Sequence, residues 1–215
     1  MDWQALVASQ PDLARIPPQL RKLAERWEVD AGDTLLRIGD RVRSVLSVIS
    51  GEVRLLRRSR NGREVVLQRS RSGFFAEASL DSKIYHCDVV VAEKGAMLRF
   101  PAKDFRAALD ADAPFRDAWM KRLAREVRKL RAQCERLSLH SAADRIIHYI
   151  ESEGADGVFT LIQSRKAWAA ELGLTHEALY RALSRLQADG TLCISGSRVG
   201  LGRSIGSAHF SVGPN

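Results

Sequence analysis

The 215-residue chain has few cysteines: Cys87, Cys134 and Cys193 are odd in number, far apart and without a CxxC pair. That excludes a disulfide framework or a zinc ribbon and leaves thiol chemistry a sensory role at most. It has no basic N-terminal segment followed by an apolar run, and no stretch approaches ~18 uninterrupted apolar residues. The expectation is a cytoplasmic protein with no membrane partner. Low-complexity tracts and fixed-period repeats are also missing. With 15 Gly and 6 Pro against 45% hydrophobic and 28% charged residues, the composition is that of a globular protein. Histidine is scarce, with His86 alone between residues 28 and 100. A cupin-like metalloenzyme needs clustered His and Glu ligands on its strands, so that reading fails and no catalytic residues are expected.

Basic charge is plentiful. The net charge of +8 suits a polyanionic partner without deciding for one. The length suits two modules, and the pattern divides the chain into four stretches. Residues 1–27 carry apolar positions at helical spacing (Leu6, Leu13, Ile16, Leu20, Leu23, Trp27), broken by Pro11 and Pro17-Pro18, which predicts short helices. Residues 28–112 are mostly short β-branched runs alternating with Gly32, Gly39, Gly51, Asn61-Gly62, Gly73 and Gly95, which predicts a small β-sandwich or barrel. Asn61-Gly62 is the strongest local hairpin signal.

Residues 113–138 read as a long helix. Met120, Leu123, Val127, Leu130, Cys134 and Leu137 repeat at 3, 4, 3, 4, 3, a heptad seam for a second copy, with Arg122, Arg125, Arg128, Lys129, Arg131 and Arg136 filling the other positions. Residues 139–215 begin with an amphipathic helix, Ala142 to Glu151, behind the N-cap candidate Ser141.

Within that last stretch, residues 164–186 read as two capped helices joined by a tight turn. Ser164 caps the first, Gly173 suits a left-handed C′ position, and Thr175 caps the second, whose buried face is Ala178, Leu179, Ala182, Leu183 and Leu186. This is a helix-turn-helix. Thr191 to Ile194 and Arg198 to Leu201, joined at Gly196, read as a β-hairpin wing. With the second helix in a major groove, His176, Glu177, Tyr180 and Arg181 point toward base edges. Arg181 suits guanine and Glu177 suits cytosine, while Arg165 and Lys166 suit phosphate, beside the cap at Thr175.

In this order of parts, with Glu177 and Arg181 spaced as Glu-x-x-x-Arg, the chain resembles the cyclic AMP receptor protein and fumarate-nitrate reduction regulator (Crp/Fnr) family over nearly its whole length. The resemblance implies an α+β fold: an N-terminal double-stranded β-helix of the cyclic-nucleotide-binding type (a β-roll), a long dimerisation helix and a C-terminal winged helix-turn-helix. It implies a homodimer on a palindromic duplex operator, RNA polymerase as a partner, and transcription regulation without enzymatic activity. Gly73 to Leu80 looks like the family's phosphate-binding cassette, which places Glu77 and Ser79 in an effector pocket.

The cassette departs from the version that binds cyclic AMP. That version follows the glutamate with Arg-Ser, and here the corresponding positions are His86 and Cys87. A neutral imidazole cannot supply the charge-assisted fork of a guanidinium, so cyclic AMP is disfavoured unless Arg69 or Arg71 supplies the charge. His86 and Cys87, with Cys134 on the seam, raise redox, metal or haem sensing as alternatives, against the plainer reading of Cys87 as a buried hydrophobe. An iron-sulfur cluster is disfavoured, because that branch carries an N-terminal cysteine cluster and residues 1–27 have no cysteine. Cys193 is read as packing, and His140 and His148 as solvated or core histidines. A cyclic-nucleotide-binding regulatory module with no DNA role is the remaining rival, and it leaves the winged helix-turn-helix unexplained.

Overall fold

The computed structural model describes residues 1–58, 60–61 and 64–202. It divides into two compact units, Met1–Leu123 and Ala124–Asn215. The first opens with α1 (Trp3–Ser9), a 3-10 turn at Pro11–Leu13, and α2 (Pro18–Lys22). Asp2 caps α1 by accepting from the amides of Gln4 and Ala5, and Pro18 starts α2 where its missing N–H costs nothing. These helices are part of the β unit's core: Leu6, Leu13, Ile16 and Leu20 pack with Phe74, Phe100, Phe105, Phe115 and Trp119.

The β-rich stretch starts slightly earlier than its composition suggests, with β1 (Glu25–Val29), followed by β2 (Thr34–Leu36), β3 (Ser44–Arg58), β4 (Glu64–Ser70), β5 (Gly73–Phe75) and β6 (Asp88–Pro101). All pairings are antiparallel, and β3 and β6 run side by side at the centre. β6 pairs with β1 along its second half and with β2 along its first, while β3 pairs with β5 early and β4 late. The result is a roll around a lumen filled by Val29, Leu36, Val48, Val53, Leu55, Phe75, Tyr85, Val89, Val91 and Met97.

The runs Val45–Ile49 and Glu52–Leu55 read as two strands but are one, as are Asp88–Val91 and Ala96–Phe100. Gly51 and Gly95 make this continuity possible. The register shifts there, Gly51 has φ +84°, and a Cβ on Gly95 would lie 2.0 Å from the Ser50 carbonyl oxygen. The strands pass through a bulge instead of stopping at it. Gly62, half of the expected Asn61-Gly62 turn, lies outside the described residues; the strands on either side pair from Arg58↔Glu64 to Val53↔Ser70.

After α3 (Ala102–Ala111) comes α4 (Ala113–Ser138), which begins in the first unit and ends in the second. In the second unit, α5 (Ala142–Glu153), α6 (Arg165–Glu171) and α7 (His176–Ala188) enclose Ile146, Tyr149, Ile150, Trp168, Leu172, Leu179, Leu183 and Leu186. Trp168 is fully buried, and truncating a side chain of this size in a core costs ~3–5 kcal/mol. The expected hairpin is present as β8 (Leu192–Ser195) and β9 (Arg198–Leu201), and β7 (Val158–Thr160) adds a third strand on the free edge of β9. No described helix is long and apolar enough to cross a membrane.

Candidate nucleic-acid interface and effector cassette

The helix-turn-helix is built by its caps. Ser164 Oγ accepts from the Ala167 amide at 3.2 Å, and Thr175 Oγ1 accepts from the Ala178 amide at 3.1 Å. Between the two helices Gly173 holds φ +65°. With Leu179, Leu183 and Leu186 turned into the core, the opposite face of α7 is exposed and carries His176, Glu177, Tyr180 and Arg181. His176 meets Tyr180 edge-on at 4.6 Å between ring centroids, and the Arg165 guanidinium lies 5.1 Å above the same ring. Arg165, expected to turn to phosphate, is half-buried and lies against Tyr180. Lys166 is exposed beside it.

In the first unit the cassette is closed by a residue that the sequence pattern assigned to solvent. Arg122, on α4, donates to the buried Phe74 carbonyl, to Glu77 Oε1 at 3.1 Å and to Asp12 Oδ2 at 3.1 Å. Both the Arg122 and Glu77 side chains are under one tenth exposed. A buried arginine is tolerated because acceptors surround it and two aromatic faces, Phe74 and Trp119, lie within 6.0 Å. The spacing 115, 119, 122 on α4 offered the signal, since it sets Arg122 in line with Phe115 and Trp119. Asp12 gave none. Ala76, before the turn Glu77–Ser79, has φ 54°, and Ser79 is buried with its Oγ accepting from the His86 amide at 3.3 Å. His86 itself is exposed: its Nε2 lies 2.9 Å from Ser82 Oγ, and its carbonyl accepts from Arg57 Nε at 2.8 Å.

Residues 26–112 match the cyclic nucleotide-binding domain. No curated protein matches the chain in sequence. Among solved structures, FixK2 of Bradyrhizobium japonicum is 20% identical, with 88% of this chain and 99% of that one covered and a TM-score of 0.63. CLP of Xanthomonas campestris, described as a c-di-GMP responsive global regulator, is 24% identical over 84% and 94% of the two chains, with a TM-score of 0.58. The catabolite activator protein of Thermus thermophilus is 23% identical over 89% and 93%, with a TM-score of 0.50. At this identity the likeness establishes the fold alone.

Within the matched stretch, the charged residues singled out from the sequence have partners inside the chain. Arg69 and Arg71, the alternative sources of charge, are engaged elsewhere: both bind the buried Glu52, at 2.7 and 2.8 Å, and Arg71 also binds Glu93 at 2.7 Å. Glu77 is already paired to Arg122, and Lys83 to Asp88 includes no guanidinium.

His86 and Cys87 do not form a shared metal site. His86 faces solvent, whereas Cys87 is buried in the roll lumen among Leu36, Val53, Leu55 and Val89. Burial pushes its thiol above the ordinary range, with Arg57 acting the other way. Among the described residues no group of three or more His, Cys, Asp or Glu is placed to hold a metal ion. Cys193, expected to pack, is exposed on the wing, and Cys134 is exposed on α4. His140 is exposed, and His148 Nε2 lies 3.3 Å from Glu135.

Along α4 the residues expected to form a seam, Met120, Val127, Leu130 and Leu137, are 60, 46, 52 and 46% exposed, and Leu123 is half-buried. Arg136, expected among the solvated positions, is buried: it bonds Ser152 and Glu153 and lies 4.4 Å over the Tyr149 ring. The helix therefore has one stripe turned into its own chain (Phe115, Trp119, Arg122, Arg136) and a second, apolar stripe about 100° away.

Proposed function

We propose that the chain is a Crp/Fnr-type transcription regulator that binds a palindromic duplex operator as a homodimer, under the control of an effector at the β-roll. The observation that carries this reading is the capped helix-turn-helix whose exposed face bears His176, Glu177, Tyr180 and Arg181 above a three-stranded wing. In a major groove, Arg181 reads guanine, Glu177 accepts from cytosine, and Lys166 neutralises phosphate. The apolar stripe of α4 supports pairing with a second copy, because four large apolar side chains at heptad spacing stand open to water. Recognition of DNA assigns the protein to the cytoplasm.

The effector we infer is not cyclic AMP, because Glu77 is tied to Arg122 and His86 stands where a guanidinium is needed. The β-roll instead holds α4 through Arg122, so an effector that competes for Glu77 shifts the population of α4 arrangements and with it the DNA-binding state.

Selection of duplexes from a random library by the full-length chain, under reducing and oxidising conditions, tests the reading. An inverted-repeat site is expected. Arg181→Ala should lose ~1–3 kcal/mol of discrimination at one base pair. Lys166→Ala should weaken all duplexes alike and lower the salt slope by about one. Failure to enrich any duplex, or an Arg181→Ala variant with unchanged site preference, overturns the reading.

A further inference from the structure

Arg145, in the first turn of α5, is half-buried, and among the described residues its guanidinium bonds backbone carbonyls and no carboxylate. Its Nε donates to the Leu139 carbonyl at 2.8 Å and its Nη2 to the Leu137 carbonyl at 3.4 Å, both at the C-terminal end of α4. Its Nη1 donates to the Leu172 and Gly173 carbonyls at 3.2 and 3.1 Å, both in the turn of the helix-turn-helix. One guanidinium thus satisfies carbonyls that two helix ends leave without intrahelical partners, and places its positive charge at the negative ends of both.

Side chains from the α4 end also pack closely on the turn. A Cβ on Gly173 would lie 2.8 Å from Leu137 Cδ2 and 3.1 Å from Arg145 Nη1. Leu137 is the last apolar residue of the exposed seam. The end of the seam and the turn that orients α7 therefore meet around one side chain. The planar fork of arginine suits this placement, because its donors point to both sides at fixed angles, whereas a lysine ammonium is a single point with three donors.

We propose that Arg145 is a positioning residue for DNA recognition: it locks the orientation of α7 relative to the end of α4, and so sets the separation of the two recognition helices in a dimer. This rests on the reading of the chain as a dimeric DNA-binding protein. Half-sites on duplex DNA repeat with the helical turn of ~10–10.5 base pairs, so each added base pair turns a half-site by about 34°, and a rigid pin enforces one spacing.

The test uses the full chain, the half-site recovered by selection, and duplexes carrying it as inverted repeats with the spacer varied in single base-pair steps, together with a duplex carrying one half-site. The wild-type chain should prefer one spacing by about tenfold over its neighbours, a difference readily read from binding constants. Arg145→Ala should bind the single half-site as the wild type does, yet lose most of the spacing preference, and Arg145→Lys should fall between. Gly173→Ala keeps the guanidinium but strains the turn, which holds φ +65°, and brings a methyl within 2.8 Å of Leu137 Cδ2; it should flatten the preference in the same way, which covers the case of an Arg145→Ala chain that fails to fold. A merely structural role for Arg145 would weaken half-site binding in step with spacing preference. That outcome, or an unaltered preference in Arg145→Ala and Gly173→Ala, overturns the inference and leaves the regulator reading standing. Absence of duplex binding by the wild-type chain overturns both.

Discussion

Replacing Arg122 by methionine removes a buried cation while nearly conserving side-chain volume, so the cost is electrostatic and not one of lost packing. Glu77 keeps a carboxylate more than nine tenths buried without its arginine, the Phe74 carbonyl loses its donor, and Asp12, about one third exposed, loses the same cation. Breaking one side of a buried ion pair costs ~3–5 kcal/mol, and the orphaned carbonyl accounts for ~1–3 kcal/mol of that. The double variant Arg122→Met with Glu77→Gln removes both charges and should recover all but the carbonyl's share, leaving ~1–3 kcal/mol. Because the two units need not open together, the readout is urea-dependent hydrogen exchange of peptides spanning Gly95 to Phe105, which report the first unit alone. A single variant that costs less than ~1 kcal/mol, or a double variant no more stable than the single, refutes the account of Arg122 and Glu77 as a coupled buried pair.

Thiol accessibility gives a second prediction: iodoacetamide at neutral pH should label Cys134 and Cys193 quickly, and Cys87 only as fast as the first unit opens. The raised Cys87 pKa has a definite sign, since the folded chain keeps a proton that the unfolded chain releases. Its contribution to stability is present below the ordinary thiol pKa of ~8.5 and is lost as pH rises through the folded value. Cys87→Ala should flatten the stability curve above that pH, and an identical slope in both proteins would contradict the burial argument. On α4, Leu130→Glu places two like charges across the seam and should shift sedimentation from dimer to monomer without changing the melting of either unit; an unaltered dimer would place the interface elsewhere.

Much of the second unit was legible along the chain because its signals are local. A serine or threonine three residues before the amide it caps, and a glycine at the left-handed position between two helices, act within one turn of backbone. The residues that perform each role are the ones whose spacing announced it: Ser164, Gly173 and Thr175. The heptad stripe of α4 and the glycine-punctuated strands of the roll belong to the same class, since a period along the chain is a direct consequence of helix or strand geometry.

Tertiary structure alone decided which members of a pattern are buried. Arg122 and Arg125 look alike in sequence, yet one lies in the core and one on the surface, because Asp12 and Glu77 reach it from 110 and 45 residues away. The continuity of β3 and β6, the third strand of the wing, and the opposite environments of His86 and Cys87 have the same origin. So does Arg145, whose carbonyl partners at Leu172 and Gly173 lie 27 and 28 residues along the chain. The sequence by itself determined the elements and the faces they offer. Which charges those faces bury was settled by side chains brought together from distant parts of the chain, because an ion pair's worth depends on the dielectric and the partners around it and not on its place in the sequence.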